Sequence, residues 1–256
     1  MMASMSALVV NGFREARRNR VTVVLIAFAA LLVLSASTVA DSAIVTLDRV
    51  LVDVALGSAS LLLVALAVYL SCGALNQEIQ RRTIFIMMSK PISRPAFLLA
   101  RVGSILLTLL VLQSLMVALF AVEVVVFRSS FNPAQFVAFA MLFVELCVLV
   151  SAGVLMSTHA GPIVSAVVVA GIYFAGHQAR DLYLRSSKSA SAAVRALGRA
   201  VYYVLPNLDR LDYKPHASYG LPISTSDVLV NAAYGIGWTV LLLVAATIVF
   251  SRRDFK

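Results

Sequence analysis

Long apolar runs separated by short polar segments dominate the pattern of this chain. A helix needs about 20 mostly apolar residues to cross the hydrocarbon core of a bilayer. Six runs meet or approach that length, and each predicts a transmembrane helix. They cover residues 21–40, 54–75, 102–127, 134–157, 160–176 and 228–250. The pattern predicts an all-α membrane protein whose residues 1–256 form a single transmembrane domain.

Two segments outside these runs carry helical patterns of their own. Residues 1–20 mix apolar side chains with four arginines, which favours an amphipathic helix lying at the membrane interface. An unstructured basic tail is the alternative. Residues 180–227 form a long outer loop, in which apolar residues between 189 and 205 recur at helical spacing. This spacing predicts a helix at the outer leaflet.

Composition supports the membrane prediction and excludes an ordinary soluble domain. The chain of 256 residues is 61% hydrophobic and only 13% charged, whereas globular domains carry about 25% charged residues. The formal net charge is +9. Because the basic residues cluster beside apolar runs, they indicate membrane orientation and argue against nucleic acid as a partner.

The basic clusters predict which side of the membrane each loop faces. They lie before the first span, at 14–20, after the second, at 81–101, and after the last, at 252–256. With six spans, all three fall on one side, so both termini are predicted to be cytoplasmic. The outer loop holds seven basic residues, but a loop of that length translocates largely regardless of charge. A cleaved signal peptide is the alternative at the N-terminus, and it leaves the other orientations unchanged.

Motifs for common enzyme chemistry are missing from the sequence. The three histidines form no His-Glu-x-x-His zinc pattern, and no Gly-x-Ser-x-Gly elbow occurs. A P-loop needs Gly-Lys before Ser or Thr, whereas the four lysines follow Ser, Ser, Tyr and Phe. We therefore expect no catalytic residue, no metal site and no bound cofactor in this chain.

Glu145 lies near the middle of the fourth apolar run. An acid at that depth is costly and is a functional candidate by default. It could carry a proton or face a polar pathway. Alternatively, it is a hydrogen-bonded acid at a helix interface, with Gln113, Ser114 or Ser151 as its partner.

The segment 76–96 between the second and third spans predicts a docking surface. Glu78 and Arg82 can pair one turn apart on a helix, and Lys90-Pro91 ends that helix because the residue before proline disfavours helical geometry. Its apolar residues and methionines suit an irregular partner surface. An ordinary interhelix loop is the alternative. The predicted docking residues are Glu78, Arg81, Arg82, Thr83, Ile84, Phe85, Met87, Met88, Lys90 and Arg94.

The stretch TIFIMMSKPISR, residues 83–94, resembles the coupling-helix region of ABC type-2 transporter permeases. Arg101 stands where a lysine is commoner in that family, and the charge is preserved. LPNLDRLDYK at 205–214 is similar to the family's outer loop before the last span, and RRDF at 252–255 is similar to its C-terminus. The resemblance covers nearly the whole chain.

This resemblance implies a type-2 exporter fold with an interfacial helix at 1–20, a cytoplasmic coupling helix and an outer-leaflet helix. It implies a permease of the prokaryotic inner membrane. Membrane lipid surrounds this permease, and a separate ATPase powers it through the 78–94 loop. Two copies of a separate P-loop ATPase would carry ATP and Mg, and a second permease copy would complete a homodimer or heterodimer. The alternatives are an ion-coupled secondary transporter using Glu145 and a non-transporting assembly or maturation factor on the same fold.

Overall fold

A computed structural model describes residues 21–39, 44–80, 94–127, 131–189 and 191–252. Within these ranges the chain is helical and contains no strand. The predicted interfacial helix at 1–20 lies outside the described residues. The elements are α1 Val21–Val39, α2 Ile44–Gln80, α3 Arg94–Val126, α4 Pro133–Ser157, α5 Pro162–Ser187, α6 Ala192–Val204, a 3₁₀-helix Leu208–Leu211, α7 Lys214–Tyr219 and α8 Thr225–Arg252.

Local sequence sets the ends of several helices. Asn132 caps α4, because its side chain accepts a hydrogen bond from Ala134 N at 3.0 Å while Gln135 Oε1 accepts from Asn132 N at 3.3 Å. A proline occupies the first turn of both α4 and α5, where its missing N–H costs nothing. Gly220 ends α7 with a positive φ of 61°, which glycine adopts without strain.

Five described helices are long and apolar enough to cross a membrane, namely α2, α3, α4, α5 and α8. They correspond to five of the six predicted spans, although α3 ends at Val126 and α5 begins only at Pro162. Among its described side chains, α1 carries a shorter apolar stretch, Val23–Leu34. The structure therefore confirms an all-helical, multi-pass membrane architecture for the described residues. The first predicted span, at 21–40, stays a prediction.

Helix α5 extends beyond the predicted fifth span at 160–176. It continues to Ser187, so the first residues of the predicted outer loop at 180–227 are helical. Hydropathy falls after Gly176, but no glycine or proline interrupts the backbone there. Asp181 and Arg185 lie one turn apart, with Asp181 Oδ2 4.0 Å from Arg185 Nη2, and favour the helix on its exposed face. Hydropathy marks where a span ends and says little about where its helix ends.

The predicted outer-leaflet helix corresponds to α6, which packs on α5. Gly198 faces the Ser186 side chain at this contact. Val194, Leu197 and Val204 stay exposed, which suits a helix whose apolar side meets lipid.

Helix α4 is the centre of the described bundle. It contacts α2, α3, α5, α7, α8 and the 3₁₀-helix. In its most apolar stretch 72% of residues are buried, against 17% in α8. The core around it includes Leu142, Leu146 and Leu149.

Close approach of α2 and α4 depends on Gly153. A Cβ built at this position would lie 2.7 Å from the Ser71 Cβ, a separation that forces one helix to shift. Small residues allow helix backbones to approach in lipid, where apolar burial alone does not drive association.

We predict that Gly153→Ala destabilises the protein by about 1–3 kcal/mol, because overpacking displaces a well-packed neighbour. Gly171→Ala is the matched control, since nothing lies within 4 Å of a Cβ built there. Thermal unfolding in detergent measures both variants. Equal unfolding temperatures would show that α2 and α4 are not held at this contact.

Candidate functional site

The predicted docking residues fall at the end of α2, the start of α3 and between them. Glu78 lies in the last turn of α2, in one continuous helix with the second span, and Arg94 is the first residue of α3. The other eight lie outside the described residues. They are Arg81, Arg82, Thr83, Ile84, Phe85, Met87, Met88 and Lys90.

Residues 205–224, which we call the cap, cover one end of the helix bundle. The cap contains the 3₁₀-helix and α7. Leu208 and Leu211 anchor it, with 0% and 1% of their surfaces exposed. Gly176 of α5 allows this approach, because a Cβ there would lie 2.7 Å from the Pro206 carbonyl oxygen and 2.9 Å from Leu208 Cγ.

Two side-chain hydrogen bonds join the cap to α2. The Ser218 hydroxyl donates to Asp53 Oδ1, and Lys214 Nζ donates to Ser60 Oγ at 3.2 Å. Asp53 and Ser60 are seven residues apart on α2, and Lys214 and Ser218 are four apart on α7. These spacings place both pairs on facing sides of the two helices. The cap is therefore attached to α2 at two successive points.

The cap is also bonded to α8. The Asn207 backbone N–H donates to Tyr234 Oη at 2.8 Å, and Asn231 Nδ2 donates to Tyr213 Oη at 3.0 Å. The Arg210 guanidinium lies 5.0 Å above the Tyr234 ring, within cation–π range. Contacts to both helices fix the position of the cap.

A cleft of about 560 Å³ opens between α5, the cap and the start of α8. Aromatic rings and amides share its walls with side chains of both charges. Such a lining can hold a zwitterionic group. The charged and titratable lining residues are Arg180, Asp209, Arg210, Asp212, His216 and Asp227.

Glu145 is buried at the α4–α5 contact, with 1% of its side chain exposed. His177 of α5 faces it, with 3.6 Å between Glu145 Oε1 and His177 Nε2. His177 Nδ1 lies 3.1 Å from the Tyr173 carbonyl oxygen, which orients the ring. Gly176, the residue before His177, lies against Pro206 and Leu208 of the cap, so the pair lies next to the cap.

The expected partners of Glu145 make other contacts. Gln113 Nε2 donates to the Phe139 carbonyl at 2.5 Å. The Ser114 and Ser151 hydroxyls donate to carbonyl oxygens of their own helices, 2.8 and 2.7 Å away. The prediction of these partners was wrong, because a serine hydroxyl within a helix bonds the carbonyl one turn earlier, and Gln113 bonds a carbonyl of α4.

His177 was not predicted as a site residue, because it belongs to no metal or catalytic motif in the sequence. The available signal was that a buried acid needs a polar partner on a neighbouring helix. His177 follows the predicted fifth span directly. The described residues contain no group of three or more His, Cys, Asp or Glu side chains that could hold a metal ion.

We predict that Lys214→Met loosens the cap from α2. The variant loses the hydrogen bond to Ser60 and the ion pair with Asp212 Oδ1, 3.6 Å away. A hydrogen bond to a charged group contributes about 1.5–3 kcal/mol. Amide hydrogen exchange in residues 205–224 should accelerate, whereas Lys188→Met, in the loop after α5, should leave the cap protected. Unchanged exchange in the Lys214 variant would refute the attachment.

Comparison with known proteins agrees with this architecture. Residues 6–255 match the model of a family described as ABC-2 family transporter protein, which is essentially the whole chain. No curated protein matches the chain in a sequence search. The match includes the five membrane-length helices, the cap and the segment between α2 and α3. The chain belongs to the ABC-2 family of transporter proteins, as a multi-pass membrane component of an ABC transporter.

Proposed function

We propose that the chain is the permease of an exporter in the prokaryotic inner membrane, powered by a separate P-loop ATPase that docks on residues 78–94. Membership of the ABC-2 family implies an ATPase partner in general. Two ATPase copies bind ATP and Mg, and a second permease copy completes the transporter. In this arrangement both termini are cytoplasmic, and the cap faces outward.

The observation that carries this proposal is the continuity of α2. The helix runs through 37 residues, Ile44–Gln80, which corresponds to about 55 Å at 1.5 Å per residue. Asp53 and Ser60, in the first half of the helix, hold the cap, and Glu78 lies in its last turn. A displacement of the docking segment is therefore transmitted along one helix to the cap.

The energy for this displacement comes from the ATPase. A partner shifts a conformational equilibrium only by binding one conformation more tightly than the other. The ATP-bound, closed ATPase pair must therefore prefer one position of the 78–94 segment. The cap then moves together with α2, to which it is hydrogen-bonded, and α8 follows through its own bonds to the cap, which alters the cleft wall that α5 supplies.

Helices α5 and α8 offer the surfaces for a second permease copy and for lipid. Only 22% and 17% of their most apolar stretches are buried within the chain. Exposed apolar residues along α8 include Leu229, Ile236, Val240 and Val244. Such faces require a helix or lipid beside them.

We predict that Glu78→Lys, combined with alanine at Ile84, Phe85 and Met88, disrupts the complex. Removing the apolar surface and reversing the charge should weaken ATPase capture about tenfold or more, which corresponds to ~1.4 kcal/mol per factor of ten. Pull-down in mild detergent with ATP and a transition-state mimic measures the bound ATPase.

Asp227→Lys is the control for charge reversal, because Asp227 lines the cleft at the other end of the bundle. It should keep full ATPase capture. Equal capture by the docking variant and the control would exclude the 78–94 segment as the docking site.

Pairing of Glu145 with His177 favours ion-coupled transport as a second candidate function. An ion-coupled carrier would transport in vesicles without the ATPase and stop when the proton gradient is dissipated. The ATP-driven permease should transport only with the ATPase and ATP present.

A further inference from the structure

The hydrogen bonding of His177 determines which ring nitrogen carries its proton. Nδ1 lies 3.1 Å from the Tyr173 carbonyl oxygen. A carbonyl oxygen only accepts, so Nδ1 must carry a hydrogen and donate it. In the neutral ring Nε2 is then bare and can only accept. Glu145 Oε1 lies 3.6 Å from this nitrogen.

Two bare acceptors cannot face each other stably in this setting. An ionised Glu145 beside a neutral His177 would leave two lone pairs 3.6 Å apart and an uncompensated buried charge. Neither Glu145 Oε1 nor His177 Nε2 has another hydrogen-bond partner, and both atoms are buried. The separation is too short for an intervening water. A proton on either atom removes this repulsion between the two acceptors.

One proton satisfies the pair in either of its positions. On Glu145 it makes a neutral carboxyl facing the Nε2 lone pair, and on His177 it makes an ion pair without net charge. A second proton would leave a net positive charge in a buried site. The described charged groups that act on the pair, Lys214 and Asp212, and Asp209 on His177, all belong to the cap.

Of these two side chains, His177 is the one that is partly exposed. The exposed fraction is 18% for His177 and 1% for Glu145. Arg180 follows His177 by three residues, on the same side of α5, and lines the cleft beside the cap. Because His177 follows Gly176, which packs against Pro206 and Leu208 of the cap, protons can reach Glu145 from the cap side by way of the imidazole ring.

We propose that Glu145 and His177 form a proton-binding site that holds a single proton between the two side chains and exchanges it through the partly exposed His177. The site does not depend on which energy source drives transport. It makes the state of the α4–α5 contact sensitive to the pH on the side of the membrane that the cap faces.

A difference titration on the full chain in lipid nanodiscs tests the stoichiometry. Glu145→Gln and His177→Gln each place an amide where it can donate to the remaining partner, so both should keep the fold. Each single variant keeps one titratable group, and the pH at which that group binds its proton should shift from the wild-type step, because strongly interacting groups titrate as a unit. The double variant should lack the step.

Glu123→Gln is the matched control, since Glu123 is also buried in a span, on α3. It should keep the step. Two independent steps, one lost with Glu145 and another with His177, would overturn the shared proton. In oriented proteoliposomes the step should follow the pH on the cap side alone. A response to the opposite side would overturn the route through His177.

Discussion

Enclosure of α4 is the constraint on which the rest of the fold depends. Lipid tails are as apolar as the side chains that face them, so moving apolar surface from lipid into a helix contact gains little free energy. Helices in a membrane are therefore held together by close packing and by satisfied polar groups. Around α4 the first condition is met at Gly153, opposite Ser71, and at Gly235, opposite Val144. The second condition explains the site, because an acid in the most enclosed helix must find its partner on a neighbour. Glu145 finds His177 on α5.

The same enclosure separates the helices into a buried centre and a more exposed periphery. The cap contacts α4, and side-chain hydrogen bonds join it to α2 and α8. Hydrogen bonds are directional and fix partners. In the proposed mechanism, these bonds keep the cap attached to α2 and α8 when the docking segment moves. The proposed proton site lies next to the cap. A shift of the cap charges Lys214 and Asp212 would change the electric field at Glu145.

Much of the fold was predictable from the sequence, because spans follow from apolar length and α6 follows from spacing alone. The family match confirms the resemblance that TIFIMMSKPISR and LPNLDRLDYK indicated. The length of α5 was not predictable, since polar residues continue a helix as well as apolar ones. The pairing of Glu145 with His177 was also missed, because 32 positions of sequence separate them and only packing brings them together. Polar bonds of the cap to α2 join residues farther apart still.

A disulfide between the cap and α2 tests the central claim that these two elements move as one body. Asp53→Cys and Ser218→Cys place thiols where the native side chains bond, with Cys72 and Cys147 replaced by alanine. In the reconstituted complex, ATP-driven transport is measured with the disulfide formed and after reduction. We predict the same rate in both states, because the bond joins parts that do not separate. Transport that stops on oxidation and returns on reduction would contradict the account.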